Sequence, residues 1–134
     1  MKTVDVLPEL LKVCPSFGLV WEACDEEDRA LSYSRLGDFA RHLLEMKREG
    51  REDVLIAAGS FIERMHLEGD ANVRELATIG MLEGIQNVWG VSAEEVQAFR
   101  PFLGEESVRW WDSLGKFWNQ EIPFVGSDLD MPNH

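Results

Sequence analysis

Two side chains that could bind a metal or transfer a proton lie three residues apart, where Glu63 precedes His66 in FIERMHLEGD. On a helix this spacing puts both side chains on one face, as in the Glu-x-x-His elements of di-iron carboxylate bundles. Such a centre needs two of these elements and two further carboxylates. The chain has one element and a reversed pair, His42 and Glu45. Glu63 and His66 are therefore weak metal candidates, and we expect no metal and no cofactor.

Signatures of nucleophilic and phosphate chemistry are missing from the sequence. Ser60 lacks the G-x-S-x-G context of a nucleophile elbow, and neither G-x-G-x-x-G nor a P-loop occurs. Cys14 and Cys24 have no CxxC spacing, so we interpret them as buried, reduced thiols. We predict no catalytic residue, which makes an enzyme the less favoured alternative.

The charge of the chain indicates which partners it can bind. Its net charge is −12, from 13 basic and 25 acidic residues. Nucleic acids and anionic membranes attract Lys and Arg clusters, so this balance disfavours both partners. A basic protein partner is allowed, and the acidic surface would steer its approach. The alternative is that the charge serves solubility alone.

Two acidic stretches are candidate contacts for such a partner. The densest is the run Asp25, Glu26, Glu27 and Asp28, which otherwise reads as a solvated loop. The second joins Glu105 and Glu106 to Trp110, because tryptophan is enriched in binding hot spots. Trp110 and Trp111 are adjacent, so one helix cannot bury both of them in the same pocket.

Amphipathic helices must position these side chains, and the stretch from Phe61 to Gly90 gives the clearest pattern. It reads as the end of one helix, a joint at Gly69 and Asp70, and a second helix over residues 71–89. Asp is a favoured N-cap, and Gly often follows a helix end in the left-handed conformation.

Two glycines, Gly80 and Gly84, lie four residues apart inside the second helix. Each costs about 1 kcal/mol relative to alanine in a helix interior. We favour close approach of another helix over this bare backbone as their reason, rather than a mere weakness.

Further helices are predicted on both sides of this hairpin, over residues 3–14, 31–49, 52–66, 92–99 and 105–119. The first of them is expected to have an apolar face of Val4, Leu7, Leu11 and Cys14, which Val6, Leu10 and Val13 widen. The last is expected to bury a row of Val108, Trp111, Leu114 and Trp118. Residues 17–24 stay open between a short helix and an extended segment, and residues from about 121 to 134 read as an irregular tail.

Short connections between consecutive helices require antiparallel hairpins. The sequence therefore predicts an all-α fold, a single-domain bundle of about five to six helices over residues 1–134. No apolar run approaches a membrane span, and acidic residues interrupt the N-terminal apolar run, so we expect a cytoplasmic protein.

Several segments resemble a family of small bacterial proteins that is known as a domain of unknown function. They are LPELL, LSYSRLGDFARHL, FIERMHLEGDANVRELATIGMLEGI and FLGEESVRWWDSLGKFW, which together cover roughly residues 5–119. Such proteins are similar to the immunity proteins of polymorphic toxin systems. The resemblance implies a helical protein that neutralises a basic toxin partner. A self-associating interaction or scaffold protein is the alternative, and an enzyme or metal protein using Glu63 and His66 comes third.

Overall fold

The computed structural model describes residues 1–23, 33–90 and 92–129, and it confirms the all-α fold. Within these ranges seven α-helices and one 3-10 turn occur, and no strand. The helices are α1 (Thr3–Val13), α2 (Ser16–Glu22), α3 (Tyr33–Arg48), α4 (Glu52–Glu68), α5 (residues 71–88), α6 (Ala93–Gln97) and α7 (Glu105–Trp118), with the 3-10 turn at Arg100–Phe102.

Helices α3 and α4 form the hairpin at the centre of the core. Gly50 turns the chain between them with φ of +76°, a conformation that favours glycine. Each helix buries one apolar face that follows the helical period. The buried residues are Leu36, Phe39, Ala40, Leu43, Leu44 and Met46 of α3 and Val54, Leu55, Ala58, Phe61, Ile62 and Met65 of α4.

The segment left open at residues 17–24 is helix α2 as far as residue 22. Its Phe17 and Trp21 are buried, and Phe17 meets Phe39 of α3 edge to face at 5.0 Å between ring centroids. Cys14, just before α2, is buried as expected, whereas Cys24 lies outside the described residues.

Two predicted buried rows need correction. In α1 the residues expected only to widen the face, Val6 and Leu10, are the fully buried ones, whereas Val4 of the main row is 80% exposed. The helix is apolar on more than one row, so the i, i+3, i+4 period could not tell which row faces the core. In α7 Trp111 and Leu114 are buried, but Trp118 is 48% exposed because the last turn extends beyond the core.

Helix α5 changes its winding midway. It comprises an α-helical start (Ala71–Glu75), a π-helical turn (Leu76–Leu82) and an α-helical end (Glu83–Val88). Leu36 of α3 packs over Gly80, where a Cβ atom would come within 2.3 Å of its Cδ1. The predicted close approach is therefore confirmed at Gly80. At Gly84 a Cβ atom would lie 3.9 Å from the nearest carbonyl, an ordinary contact.

The joint between α4 and α5 is partly as predicted. Asp70 caps α5 by accepting a hydrogen bond from the Val73 amide at 2.9 Å. Gly69 is extended, with φ of −78°, and not left-handed. A Cβ atom at Gly69 would clash with the Met65 carbonyl oxygen at 2.4 Å, so lack of space explains this glycine.

After α7 the described part of the tail folds back as turns. The Gly126 amide donates to Ser113 Oγ at 2.7 Å, and Asp128 accepts from Ser113 and Lys116. Gly126 has φ of +90° and lies against the Trp110 ring, where a Cβ atom would come within 2.7 Å. These contacts hold the tail on α7.

Candidate functional site

Glu63, the first member of the Glu-x-x-His element, caps helix α7. One carboxylate oxygen accepts from the Glu106 amide at 3.1 Å, and the other from the Ser107 amide at 2.9 Å. The first amides of a helix have no partner within the helix, and the positive helix end favours a carboxylate. Gly104 leaves room for this side chain, since a Cβ atom there would meet its Cδ at 2.3 Å. Glu63 thus ties α4 to α7.

His66, one helical turn further along α4, bridges two hydroxyl groups. Its Nδ1 lies 2.8 Å from Ser107 Oγ, and its Nε2 lies 2.9 Å from Thr78 Oγ1 in the π turn. The Ser107 hydroxyl donates to the Glu63 carboxylate at 2.7 Å, so its oxygen must accept from Nδ1–H. A neutral ring then leaves Nε2 to accept from the Thr78 hydroxyl. We name this chain of four side chains the Glu63–Thr78 relay: Glu63, Ser107, His66 and Thr78.

The pKa values in the relay agree with this assignment of protons. Burial lowers the pKa of His66 below 6.5, although the nearby Glu63 and Glu106 carboxylates oppose the shift. Burial raises the pKa of Glu63, but hydrogen bonds from Ser107 and from the Glu106 amide outweigh it, so the pKa is below 4.5. Near neutral pH the relay therefore contains a neutral imidazole and a charged carboxylate.

The relay differs from a catalytic triad in two respects. In a triad the carboxylate orients the histidine, and the serine hydroxyl donates to that histidine. Here the Ser107 hydroxyl donates to the carboxylate instead, and the serine is fully buried at 0% exposure. No substrate can reach the Ser107 oxygen without local unfolding.

Metal ligation is also opposed by the contacts of these side chains. Both carboxylate oxygens of Glu63 and both ring nitrogens of His66 have hydrogen-bond partners within the protein. Within residues 1–23, 33–90 and 92–129, no three His, Cys, Asp or Glu side chains are grouped closely enough to hold an ion.

A cavity of about 470 Å³ opens beside the relay. His66 and Thr78 lie at its base, and Ile79 of the π turn forms one wall. The remaining lining residues are Ala71, Arg74, Glu75, Glu106, Arg109, Trp110 and Val125. The cavity thus lies between α4, α5, α7 and the returning tail.

Charged side chains at the cavity differ in their pairing. Arg109 lies 3.0 Å from Glu106, which also accepts a hydrogen bond from Trp110 Nε1 at 3.3 Å. Arg74 has no carboxylate of the described residues within ion-pair distance, although it lines the same cavity. One cation at this site is therefore neutralised locally and the other is not.

The structure brings four of the residues singled out by sequence together, namely Glu63, His66, Glu106 and Trp110. Glu105 is exposed at the start of α7 and does not line the cavity. Asp25, Glu26, Glu27 and Asp28 lie outside the described residues. Thr78, Ser107 and Arg74 were missed, because no sequence pattern marks them as neighbours of His66.

The model of one protein family, described as Domain of unknown function (DUF7674), matches residues 7–119. This chain belongs to that family. The matched range includes every residue of the relay and every cavity residue except Val125. Comparison with curated proteins and with solved structures found no match. In the part of the chain described here, no helix is both long and apolar enough to span a membrane.

Proposed function

We propose that this member of the family is a non-enzymatic, cytoplasmic binding protein whose partner is a basic protein. The observation that carries the proposal is the pairing of charges. Among the described residues, all Lys and Arg side chains except Lys2 and Arg74 lie within ion-pair distance of a carboxylate: Lys12, Arg35, Arg41, Lys47, Arg48, Arg51, Arg64, Arg100, Arg109 and Lys116. The surplus negative charge is thus left on the surface.

Surplus carboxylates are exposed at several places. Glu45, Glu49 and Glu52 lie around the joint between α3 and α4, and Glu94 and Glu105 lie in the first turns of α6 and α7. A surface of this kind repels phosphate backbones and anionic lipids. It favours and accelerates encounter with a positively charged protein.

Within this proposal we favour a basic toxin as the partner class, since the acidic surface would attract a positively charged protein. An acidic surface could block the phosphate-binding site of a nuclease-like toxin. The candidate contacts remain the run Asp25, Glu26, Glu27 and Asp28, with Glu105, Glu106 and Trp110 as the second patch. Within that patch Glu106 is engaged by Arg109 and Trp110, so Glu105 is the carboxylate most available to a partner.

The test is affinity capture with the tagged full chain at low and high salt, followed by binding assays with the captured protein. We expect one basic protein, held more weakly as salt rises. Reversing residues 25–28 to lysine should weaken binding roughly tenfold or more, a loss of about 1.4 kcal/mol or more. The matched control reverses four other exposed acids: Glu45, Glu49, Glu52 and Glu94. Equal losses in the two variants would reject the loop assignment, and an acidic or absent partner would reject the function.

Self-association is the second candidate, and an exposed groove at the end of α7 favours it. The apolar residues Phe117, Trp118, Ile122 and Pro123 line this groove together with Gln120 and Glu121, and Trp118 is 48% exposed. Apolar surface of this kind often marks a contact with another protein. A dimer in sedimentation equilibrium that dissociates in Trp118→Lys would support this candidate. A monomer at every concentration would exclude it.

A further inference from the structure

We propose that the cavity beside the π turn binds a small organic anion, namely a carboxylate that carries an apolar or aromatic body. This ligand site shares Glu106 and Trp110 with the second patch proposed for a basic protein, but binding of the ligand does not require that partner. Four features of the cavity support this proposal: its volume, its apolar lining, the unpaired arginine at its edge and the polar residues at its floor.

The volume and the wall of the cavity fit a small molecule. About 470 Å³ lies within the usual range of ligand pockets, which are mostly apolar with a few fixed polar groups. Ile79, Trp110 and Val125 supply the apolar wall. Trp110 is held by its hydrogen bond to Glu106 and by Gly126 of the tail, so the indole offers a fixed face for an aromatic or aliphatic body.

The charge of the ligand follows from Arg74. This chain contains almost twice as many acids as bases, and nearly all its described cations have found a carboxylate. An arginine left without one at the edge of a cavity is therefore unusual here. Glu75 beside it is also unpaired within the described residues, but an unpaired acid is ordinary in so acidic a chain. A guanidinium matches the two oxygens of a carboxylate in geometry.

His66 and Thr78, at the floor of the cavity, favour binding of a ligand over a reaction with it. The π turn places Thr78 over His66, and π-helical turns occur frequently at functional sites. Both ring nitrogens of His66 already have partners, and the ring is neutral. Arg74 at the edge of the cavity would hold the carboxylate of the ligand, and the neutral floor formed by His66 and Thr78 would face its apolar body. The ligand is bound and released without a chemical change.

The experiment measures binding of three probes of the same shape by calorimetry and by tryptophan fluorescence. Naphthylacetate carries a carboxylate, naphthylacetamide is neutral, and naphthylethylamine carries a positive charge. We expect one saturable site for naphthylacetate with a Kd of about 1 mM or tighter, and weaker binding of the other two probes. Arg74→Gln should weaken naphthylacetate binding roughly three- to tenfold and leave naphthylacetamide unchanged.

The matched control is Arg64→Gln, since Arg64 pairs with Glu68 and does not line the cavity. It should leave naphthylacetate binding unchanged. Tighter binding of naphthylethylamine than of naphthylacetate would overturn the anion assignment. So would absence of saturable naphthylacetate binding in the folded wild-type chain, or equal effects of the two arginine variants.

Discussion

Two buried histidines, His42 of α3 and His66 of α4, each form a hydrogen bond with a serine hydroxyl but lie in different surroundings. They are 6% and 5% exposed, and each has a hydroxyl oxygen 2.8 Å from a ring nitrogen. Burial lowers the pKa of both rings. His42 meets one hydroxyl, from Ser16, and packs beside Phe17. His66 joins two hydroxyls from different helices and borders the cavity.

This difference shows that the spacing of a motif does not determine its chemistry. His42 and His66 each have a glutamate three residues away in sequence. Glu45 is exposed and acts on His42 only through its charge. Glu63 instead caps the start of α7, and its hydrogen-bond connection to His66 runs through Ser107. What each pair does depends on the helix that packs against it.

The largest expected effect is the loss of stability in His66→Ala. It leaves the buried Ser107 and Thr78 hydroxyls without their ring partner and opens a void, which together cost about 3 kcal/mol. His42→Ala removes one hydrogen bond to a half-buried serine and should cost about 1–2 kcal/mol. Urea denaturation measures both losses. A larger loss of unfolding free energy in His42→Ala than in His66→Ala would contradict the greater structural role that we assign to His66.

The next effect concerns the two glutamates. Glu63→Ala removes the cap of α7 and the acceptor of Ser107, so we expect a loss of about 2 kcal/mol in unfolding free energy. Glu45→Ala changes an exposed side chain and should stay within about 0.5 kcal/mol of wild type. Similar denaturation midpoints for the two variants would show that Glu63 does not hold α7.

The dependence of stability on pH sharpens the comparison further. The unfolded chain protonates its histidines near 6.5, whereas His42 and His66 have lower pKa values when folded. The unfolded state therefore binds more protons as the pH falls below 6.5, and stability falls with it, by at most about 1.4 kcal/mol per pH unit for each group.

Denaturation of wild type, His42→Gln and His66→Gln at a series of pH values below neutrality tests this. Each variant should lose part of the dependence, and the double variant most of it. The carboxylate of Glu63 adds a second loss only below 4.5, because its folded pKa is also depressed. Stability that rises on acidification from pH 7 would contradict both histidine assignments.

The smallest expected effect concerns Cys14, which lies just before α2 in the same part of the core as His42. We expect its thiol not to react in the native protein. Burial raises the pKa of the Cys14 thiol to about 11, so little thiolate forms near pH 8. In a Cys24→Ser background we expect a thiol-specific reagent to label Cys14 only after denaturant is added. Rapid labelling of the native protein would show that α1 and α2 open readily.

Periodicity predicted most of the fold and only part of the site. The rows of α3 and α4 each have one apolar face, so their burial could be predicted from sequence. The rows of α1 could not, since Val4 and Val6 are equally apolar and only tertiary packing selects between them. The π turn leaves no sequence signal, because LATIGML suits an ordinary α-helix. Ser107 and Thr78 are 41 and 12 residues from His66 in the sequence. Helical periodicity relates only residues a few positions apart, so it could not predict these contacts.

The most direct test of the relay is nitrogen NMR of the His66 ring as a function of pH. Hydrogen bonds from Nδ1–H to Ser107 and from Thr78 to Nε2 predict a neutral ring protonated on Nδ1, with a pKa below 6.5. In Glu63→Gln the side-chain amide of Gln can donate to the Ser107 oxygen. The Ser107 hydroxyl is then free to donate to Nδ1, so the ring is no longer fixed as the Nδ1-protonated form. A wild-type ring protonated on Nε2, or one that titrates at or above 6.5, would contradict the relay and reopen a catalytic role for His66.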